Sequence, residues 1–565
     1  MKNTYFPLHW FFLIVVLVLV MALPFADKPF HIDDAFVLKI TDNILQNPFD
    51  PFAGDFDWFG HETPIWKTTT NPPFISYFLA PFAARFGYSE IALHCAMMTF
   101  LLLIAWSMVV LSHRFAGGSI YPLLFVLFSP AVMVSGNVMR DIPAAGLAMA
   151  AVALFIMGTD REKRLFLFLG SIAAGLAIVT KYSAAIVVPV LLIYPLFKRK
   201  FWVWLWIAPA LLVLLAWCIQ NIALYDQIHL VYLTMHRPGD SGVGWIDKTC
   251  GALVVLGSMI YLLPAMIWSE AKRRRWIVFM GCLPVGLALF WGIQRRFDWD
   301  ADGEYLLWAL TGGLLLYLCL AEGMRRGVRY WKQEESEYAG DSLFLFAWLC
   351  APILFSILFV PFQAVRHQIL ALPPLMLLGW RAVYRAHKEG WLLKVLVGVL
   401  FAMQATVGYM TAAVDYQHAS AYPYFAKYAK EKYASPDHQT WFVGHWGWKY
   451  YAEREGFRMR HAGGELPEPG DIVLWPLRVH YGDCWSDLHD GSAFRILESA
   501  PLEEIELMSP IPLRVQNFYG ASFYALTGEN IPYRFFHDYD LETLKVYRVK
   551  NYNRQDVLNG ERRSS

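Results

Sequence analysis

The sequence predicts an all-α polytopic membrane domain with about thirteen transmembrane helices, juxtamembrane helices on its outer face and a small C-terminal mixed α/β soluble domain. Hydrophobic residues make up 57% of the 565-residue chain and charged residues only 17%, whereas ordinary soluble domains contain about 25% charged residues. Apolar runs recur along the chain, and a membrane span needs roughly 20 mostly apolar residues. The connections between these runs alternate between basic and weakly charged ones, as expected for a multi-pass membrane protein.

Thirteen segments qualify as spans and form a predicted transmembrane domain over residues 1–413. The first is too long for a cleaved signal peptide and has few small residues near its end, so we interpret it as a retained helix. The spans cover approximately residues 8–25, 91–111, 119–135, 141–158, 165–180, 182–197, 201–223, 249–269, 276–293, 305–321, 342–361, 368–386 and 391–413.

The distribution of Lys and Arg predicts the topology. The basic connections are 159–164, 198–200, 272–275, 325–332 and 381–388. The positive-inside rule makes these connections cytoplasmic. The N-terminus is then cytoplasmic, and the first long loop (26–90) and the tail (414–565) lie outside, as an odd number of spans also requires. We therefore expect a multi-pass protein of the cytoplasmic (inner) membrane with an extracytoplasmic, or periplasmic, C-terminal domain. The net charge of +1 gives no argument for binding nucleic acid.

The two outer segments differ in character. The 26–90 loop is rich in Pro, Phe and Trp, and pieces at 33–46 and 73–86 have a helical pattern. Aromatic residues favour the membrane interface, so these pieces are predicted to lie along it. The tail has short apolar or alternating runs at 440–443, 471–475 and 544–549 between Gly and Pro turns, which is typical of a mixed α/β domain.

An acid pair, Asp33 and Asp34, directly follows the first span. Adjacent carboxylates near a low-dielectric boundary repel each other, so one of them can have a raised pKa that suits a general base. The alternative interpretation is a pair of solvated loop acids. Perturbed groups cluster at functional sites only statistically, so the pair alone does not decide between the two.

Further along the same loop, Lys67 precedes Asn71, Pro72 and Pro73. Two prolines before an apolar run predict a helix start, with Asn71 near the N-cap. The unpaired N–H groups of such a helix end can also hold a phosphate. The helix start is expected whether or not a phosphate binds there.

Three other connections carry charge at the predicted outer ends of spans. Arg140 and Asp141 flank a helix start, Lys181 and Tyr182 lie in a short turn, and Arg366 precedes the twelfth span. A single Lys or Arg at such a position is usually a side chain that snorkels to the headgroups. Together with the first loop, however, these positions place acids and bases from five parts of the chain on one membrane face. That arrangement suits a lipid phosphate held beside a carboxylate base.

The order of these motifs resembles the GT-C superfamily of polyprenyl-phosphate-sugar-dependent glycosyltransferases. Bacterial relatives of the protein O-mannosyltransferases and the lipid A aminoarabinose transferases are the most similar members. The resemblance covers roughly residues 1–413 plus a tail of the expected size. The matching motifs are residues 33–36 (DDAF), 71–74 (NPPF), 140–143 (RDIP), 175–182 (GLAIVTKY) and 366–373 (RHQILALP).

This resemblance implies a GT-C-like fold and displacement at the anomeric carbon of a sugar carried on polyprenyl phosphate. Asp33 is implied as the base that accepts the proton of the acceptor hydroxyl, with Asp34 in support and Asp141 assisting the base or orienting Arg140. The leaving phosphate needs positive charge rather than a general acid. The candidates are Lys67, Arg140, Lys181 and Arg366, with Tyr182 beside them. Attack on a β-linked donor inverts the sugar.

The resemblance leaves the cofactor, the sugar and the acceptor open. A metal-binding Glu found in some aminoarabinose transferases has no counterpart, because Thr70 occupies its place; no cofactor is therefore assigned, and a divalent metal stays an open alternative. The acceptor is a lipid, a polysaccharide or a protein, and the sugar is a hexose or a pentose.

Two rival functions remain. A lipid-linked sugar flippase or transporter typically has internal repeats and broken helices with midplane charges, and the sequence shows no repeat. An O-antigen ligase or polymerase typically has one very large outer loop late in the chain, whereas here the large loop follows the first span.

Overall fold

The computed structural model describes residues 8–58, 61–236, 243–271, 299–331, 337–460, 465–479, 496–516, 523–526, 531–535 and 540–553. The predicted span 276–293 lies outside these residues.

Helices dominate the chain up to residue 433. The first twelve are α1 (Leu8–Ala22), α2 (Asp34–Gln46), α3 (Ile65–Thr68), α4 (Phe74–Phe86), α5 (Glu90–Phe115), α6 (Tyr121–Leu127), α7 (Pro130–Val134), α8 (Asp141–Arg161), α9 (Arg164–Ile178), α10 (Val187–Phe197), α11 (Ala208–Tyr225) and α12 (His229–Met235). They are followed by α13 (Trp245–Met259), α14 (Leu263–Ala271), α15 (Trp299–Trp331), α16 (Glu337–Phe359), α17 (Leu372–Glu389) and α18 (Trp391–Tyr433). Short 3-10 turns cover Leu23–Phe25, Tyr182–Ile186, Phe201–Ile207 and Val365–Ala371.

Several of these helices are long and apolar enough to cross a membrane. The described residues contain seven, or eight if one bent pair counts as a single span. Large apolar side chains such as Phe12, Leu212 and Val399 are exposed on their outer surfaces, as expected where a helix contacts lipid rather than protein. The chain is therefore a multi-pass membrane protein, while the number thirteen stays a prediction.

The two helical pieces predicted in the first loop are confirmed. They correspond to α2 and α4, and a two-stranded antiparallel ribbon of β1 (Asp55–Asp57) and β2 (Glu62–Pro64) lies between them. Their position along a membrane interface stays a prediction.

The segment predicted as one span at 119–135 is instead two short helices, α6 and α7. The break falls at Ser129, whose extended backbone precedes Pro130. A residue before proline is disfavoured in the helical region, and the Ser129 side chain caps the new helix by accepting from the Val132 N–H at 3.3 Å. Proline thus interrupts an apolar run that hydropathy alone reads as continuous.

The predicted span 249–269 is broken as well. Its halves, α13 and α14, meet at a bend of 87°. Protein groups satisfy the backbone there: Gln404 accepts from the Tyr261 N–H at 3.0 Å, and the Tyr533 hydroxyl donates to the Ser258 carbonyl at 2.6 Å. Irregular backbone at membrane depth needs such partners.

One end of α8 carries a buried cluster of charges. Arg114 donates to Asp160 at 2.7 Å and to Asp341 at 2.6 Å, and Lys198 lies 3.4 Å from Asp341. Residues of the basic connections 159–164 and 198–200, both predicted to be cytoplasmic, therefore meet here. The motif Arg140-Asp141 lies at the opposite end of α8, roughly 30 Å away for a helix of this length.

The tail contains helix α19 (Trp446–Arg454) and a five-stranded sheet. The sheet order is β4 (Arg458–Met459), β3 (Thr440–Phe442), β5 (Ile472–Pro476), β9 (Glu542–Arg548) and β6 (Glu503–Leu507), and β7 (Leu513–Arg514) pairs separately with β8 (Arg534–Phe535). β3 is parallel to β4 and β5, whereas β9 is antiparallel to β5 and β6. The runs predicted at 440–443, 471–475 and 544–549 correspond to β3, β5 and β9, so the mixed α/β character is confirmed.

The predicted domain boundary at residue 413 falls inside α18, which continues without a break to Tyr433. The last helix of the bundle therefore extends directly into the tail. The division into 1–413 and 414–565 stays a prediction.

We predict that Gly312→Ala destabilises the protein. A Cβ at Gly312 would lie 1.9 Å from the Leu253 carbonyl oxygen, because α13 and α15 cross with their backbones in contact. Relieving such a clash typically costs about 1–3 kcal/mol. The measurement is the thermal unfolding midpoint of the purified protein in nanodiscs.

Gly398→Ala in α18 is the matched control, since a Cβ there meets nothing within 4 Å. It should leave the midpoint unchanged or raise it slightly, because alanine favours helices. Equal midpoints for the two variants would contradict the close crossing.

Candidate active site

Asp33 lies at the start of α2 and faces Arg366. It is the N-cap residue of that helix, and its side chain is 31% exposed. Arg366, in the 3-10 turn Val365–Ala371, donates from Nη1 to Asp33 Oδ2 at 3.0 Å. The structure therefore brings together two predicted site residues that are 333 positions apart in the chain.

Asp34 points the other way, into the protein. Its side chain is fully buried, and its Oδ2 accepts from the His31 N–H at 2.8 Å. Burial raises the pKa of Asp34 to about 8, opposed by the His31 N–H and Lys28. The carboxyl is thus mainly protonated at neutral pH. The raised pKa expected for one member of the acid pair belongs to Asp34, whereas Asp33 is the member open to the site.

Asp141 and Lys181 form a second ion pair nearby. Asp141 is the first residue of α8, and Lys181 lies in the turn after α9. Their Nζ and Oδ1 atoms are 2.5 Å apart, with side chains 15% and 5% exposed for Lys181 and Asp141. Pairing at low exposure holds the lysine charge at the end of α8.

Arg140 is buried without a matching acceptor. Its side chain lies over the ring of Phe36, 5.8 Å from the ring centroid, and within the described residues its Nε and Nη2 have no hydrogen-bond partner. Burial lowers the pKa of Arg140 to about 10, while Asp33 and Asp141 oppose the shift. The guanidinium stays charged at neutral pH.

The site therefore has a surplus of positive charge. Three cations, Arg140, Lys181 and Arg366, face two ionised carboxylates, Asp33 and Asp141. The positive end of the α8 dipole adds to this surplus. Unsatisfied guanidinium donors in a buried, positive environment are suited to an anion such as phosphate.

A small pocket of about 30 Å³ opens beside these charges. Asp141, Lys181, Arg366 and His367 form its polar side. Its apolar side includes Pro352, Phe355, Ile369 and Leu370. Burial, together with Lys181 and Arg366, holds the pKa of His367 well below its ordinary value, so this ring is a neutral hydrogen-bonding group. The combination fits a ligand with an anionic head and an apolar chain.

Two predicted phosphate ligands lie in a different neighbourhood. Lys67 is exposed and stands over the ring of Trp66 at 6.0 Å. The Tyr182 hydroxyl accepts from Trp217 Nε1 at 2.9 Å and bonds to His229 Nδ1 at 3.0 Å. These contacts tie both residues to the aromatic surroundings of α11 and α12, so their contact with phosphate stays a prediction.

The helix start at Asn71, Pro72 and Pro73 is confirmed, with Pro73 itself as the N-cap residue of α4. The Asn71 amide donates to Thr70 Oγ1 at 2.9 Å. The Phe74 N–H donates to the Val179 carbonyl at 3.2 Å, so a protein acceptor already occupies one of the helix-end donors. Phosphate binding at this helix end stays a prediction.

A buried polar group behind Asp33 was missed in the sequence. Lys28 forms an ion pair with Asp415 and donates to Asn137 Oδ1 at 2.6 Å. The Tyr524 hydroxyl donates to Asp415 Oδ2 at 2.8 Å. Lys28 and Asp415 each lie within three residues of a predicted span end, so the criterion that selected Arg140 and Lys181 also selects them.

No group of three or more His, Cys, Asp or Glu residues that could hold a metal ion occurs in the described part of the chain. A divalent metal therefore stays the open alternative that it was from the sequence.

Comparison with known proteins gives a structural likeness only. No protein-family model matches the sequence, and no curated protein matches it. The crystal structure of ArnT from Cupriavidus metallidurans in the apo state is 14% identical with a TM-score of 0.40, covering 86% of this chain and 95% of that chain. The structure of the same protein bound to undecaprenyl phosphate is also 14% identical, with a TM-score of 0.40, covering 95% of this chain and 98% of that chain.

At this identity and TM-score these neighbours assign neither a superfamily, nor an activity, nor a ligand to this chain.

We predict that the contribution of Asp34 to stability falls with rising pH. Folding raises the pKa of this carboxyl from 3.8 to about 8, so the folded state keeps a proton that the unfolded chain has already released between these values. The contribution of Asp34 then declines as the pH rises from about 4 to about 8. Asp34→Asn keeps an acceptor oxygen for the His31 N–H and removes this exchange.

The thermal midpoint of Asp34→Asn should therefore rise relative to that of the wild type between pH 5 and 8. Asp55→Asn, which alters an exposed carboxylate in the same loop, should keep the wild-type slope. Parallel slopes for the wild type and Asp34→Asn would show that Asp34 is ionised in the folded protein.

Proposed function

We propose that this chain is a membrane glycosyltransferase that moves a sugar from a polyprenyl-phosphate donor to an acceptor hydroxyl on the outer face of the cytoplasmic membrane. One observation carries the proposal: Asp141, Lys181 and Arg366 line a half-apolar cavity, and Arg366 pairs with Asp33. Arg140 directly precedes Asp141, so charged residues from four separate parts of the chain meet here. Helix packing alone does not require this gathering of charge.

The surplus positive charge supports an anionic donor group. Arg140, Lys181 and Arg366 supply guanidinium and ammonium donors to the phosphate. The apolar side of the cavity accepts the first part of the polyprenyl chain. Undecaprenyl phosphate, which is bound in one of the similar ArnT structures, is a ligand of this chemical class.

Asp33 is the proposed base, and its ion pair with Arg366 couples it to donor binding. In the protein alone, Arg366 donates to Asp33 at 3.0 Å, so the guanidinium occupies an oxygen of this carboxylate. A donor phosphate competes for the same guanidinium. When Arg366 turns to the phosphate, Asp33 becomes available to accept a proton from the acceptor hydroxyl.

The transfer itself is a single displacement. The acceptor oxygen attacks the anomeric carbon, the bond from that carbon to the phosphate oxygen breaks, and its electron pair leaves with the phosphate. The hydroxyl proton goes to Asp33. The cations stabilise the growing negative charge, so no general acid is needed. Asp141 orients Lys181, and attack from the opposite side inverts the sugar.

The flippase alternative loses support at the broken helix. Among the described helices, the α13–α14 pair is the one bent by more than 40° at a short break. Transporters use such breaks to bind substrate near the midplane. Here Gln404 and Tyr533 take up the backbone groups of the break, which favours a structural role for it.

We predict that Asp33→Asn abolishes turnover while leaving the protein folded. Loss of a positioned general base typically costs about 10²–10⁴-fold in rate. The assay supplies a panel of polyprenyl-phosphate sugars and cell-envelope acceptors to the protein in nanodiscs and follows release of polyprenyl phosphate. The panel identifies the sugar, and the labelled product identifies a lipid, polysaccharide or protein acceptor.

Asp55→Asn is the matched control, with the same substitution at an exposed acid of the same loop. It should keep the wild-type rate. Full activity of Asp33→Asn would refute Asp33 as the base. Transport of lipid-linked sugar across vesicles without release of polyprenyl phosphate would replace the transferase by a flippase.

We also predict opposite stability effects for two arginines. Arg140→Met removes a buried cation without hydrogen-bond partners for its Nε and Nη2, so the donor-free protein should be equally or more thermostable, while its affinity for polyprenyl phosphate falls. Arg114→Met removes a cation paired with Asp160 and Asp341. Breaking such a buried pair costs about 3–5 kcal/mol.

Thermal midpoints with and without polyprenyl phosphate test both variants. If Arg140→Met were as destabilised as Arg114→Met and still shifted fully on adding the lipid, Arg140 would be a structural residue.

A further inference from the structure

The loop that carries Asp33 contains a strained residue. We call residues 28–34 the base loop. Within it, Ile32 has φ +47°, a left-handed conformation that is a genuine outlier for a β-branched side chain. Residues in such conformations cost of order 1–3 kcal/mol and persist only where the surrounding structure over-determines them. Ile32 directly precedes Asp33, so whatever holds Ile32 also sets the direction of the base.

The middle of α18 holds the first part of the base loop. Asp415, in α18, is fully buried and pairs with Lys28. The Tyr524 hydroxyl donates to the same carboxylate at 2.8 Å, and Asn137 accepts from Lys28 at 2.6 Å. Lys28 is thereby fixed by α18 and by the segment before α8, and the tail holds its partner Asp415.

His31 is enclosed by rings and by the same carboxylate. Its Nε2 lies 3.4 Å from Asp415 Oδ1, and burial lowers the pKa of His31 to about 4, so the ring is neutral. The rings of His418, Tyr422 and Tyr524 lie 5.0, 5.5 and 5.8 Å away. The backbone N–H of His31 also donates to Asp34. Both the ring and the backbone of His31 are therefore held in place next to Ile32.

Helix α19 of the tail packs directly against the base loop. The Phe30 N–H donates to the Tyr451 hydroxyl at 2.9 Å. Gly447 stands so close that a Cβ on it would lie 1.9 Å from the Phe30 carbonyl oxygen. Only a residue without a side chain allows this approach, so the position of Phe30 depends directly on the tail.

We infer that Asp415 and the tail residues Gly447, Tyr451 and Tyr524 are positioning residues, which hold the base loop in its strained conformation and thereby present Asp33 to Arg366 and the substrate. The inference rests on the proposed function and gives the tail a task in the reaction. The tail is a structural part of the catalytic apparatus rather than a separate module.

The ion pair of Lys28 and Asp415 is consistent with such a task. A buried ion pair is weak support for stability, because desolvation of both charges offsets most of their attraction. The pair instead orients the base loop: Asp415 is bonded to Lys28 and lies 3.4 Å from the His31 ring, so one carboxylate contacts residues on both sides of Phe30.

Kinetics of Asp415→Asn and Gly447→Ala in nanodiscs test the inference. Each should lower kcat by about 10²-fold, the typical effect of a small misplacement of a reacting group, while the KM for the donor stays within about twofold because the phosphate ligands are untouched. Tyr524→Phe, which removes a single hydroxyl, should act in the same direction with a smaller effect.

Rescue separates positioning from folding. Glycine adopts a left-handed conformation readily, so Ile32→Gly added to Asp415→Asn should recover part of the lost kcat. Ile32→Ala, which loses a similar buried side chain without easing the backbone, should give no recovery. If Asp415→Asn acted only through overall stability, Ile32→Gly and Ile32→Ala would have the same effect on its kcat.

Two controls address general damage. Gly398→Ala should keep wild-type kinetics, since a Cβ there meets nothing within 4 Å. Asp341→Asn breaks a buried pair at the far end of α8 and should lower the thermal midpoint while keeping kcat.

The outcomes distinguish the two levels of the argument. Wild-type protein that releases no polyprenyl phosphate would overturn the proposed function and this inference with it. Active wild type with unchanged kcat in Asp415→Asn and Gly447→Ala would overturn the inference alone. Loss of kcat that Ile32→Gly and Ile32→Ala rescue equally would also overturn it.

Discussion

The cost of placing ionisable groups in hydrocarbon governs the arrangement of this protein. A charge at the centre of a bilayer is expensive, so ionisable side chains collect at helix ends or pair with one another. Helix α8 illustrates the result: Arg140 and Asp141 lie at one end, and Asp160 meets Arg114 at the other. The pair Arg325–Glu270 also lies next to connections that are basic and predicted to be cytoplasmic. The bundle thus has two charged ends with different compositions.

The two ends differ in how completely their charges are satisfied. At the Asp160 end, Arg114 donates from Nε, Nη1 and Nη2 to two carboxylates. This is the arrangement expected of an ion-pair cluster that stabilises the fold. At the Asp141 end, Arg140 is buried with unused donors, and Asp34 is buried mainly as the protonated acid. Groups left unsatisfied in a folded protein reduce its stability. Such groups beside a cavity are the pattern expected of a ligand-binding site.

The sequence predicted the parts of this site that follow from local rules. Asp33, Arg140, Lys181 and Arg366 were found because each is an ionisable residue beside an apolar run. Helices α2 and α4 and strands β3, β5 and β9 follow from periodicity and turn residues. The pairing of Asp33 with Arg366 across 333 positions and the burial of Asp34 depend on tertiary contacts, which one sequence does not reveal. Hydropathy also missed the breaks before Pro130 and at Ile260, because apolar composition does not register backbone geometry.

The Asp33–Arg366 pair and the strained base loop answer the same physical problem. A carboxylate in a positively charged site pairs with the nearest cation. On a flexible loop, it would move together with that cation when the donor phosphate binds. Ile32, held at φ +47° between a caged His31 and α2, leaves the Asp33 backbone little freedom to move. On the proposed mechanism, Arg366, on a separate 3-10 turn, is the partner that moves. Donor binding then releases the base, because the base loop keeps Asp33 in place while Arg366 turns to the phosphate.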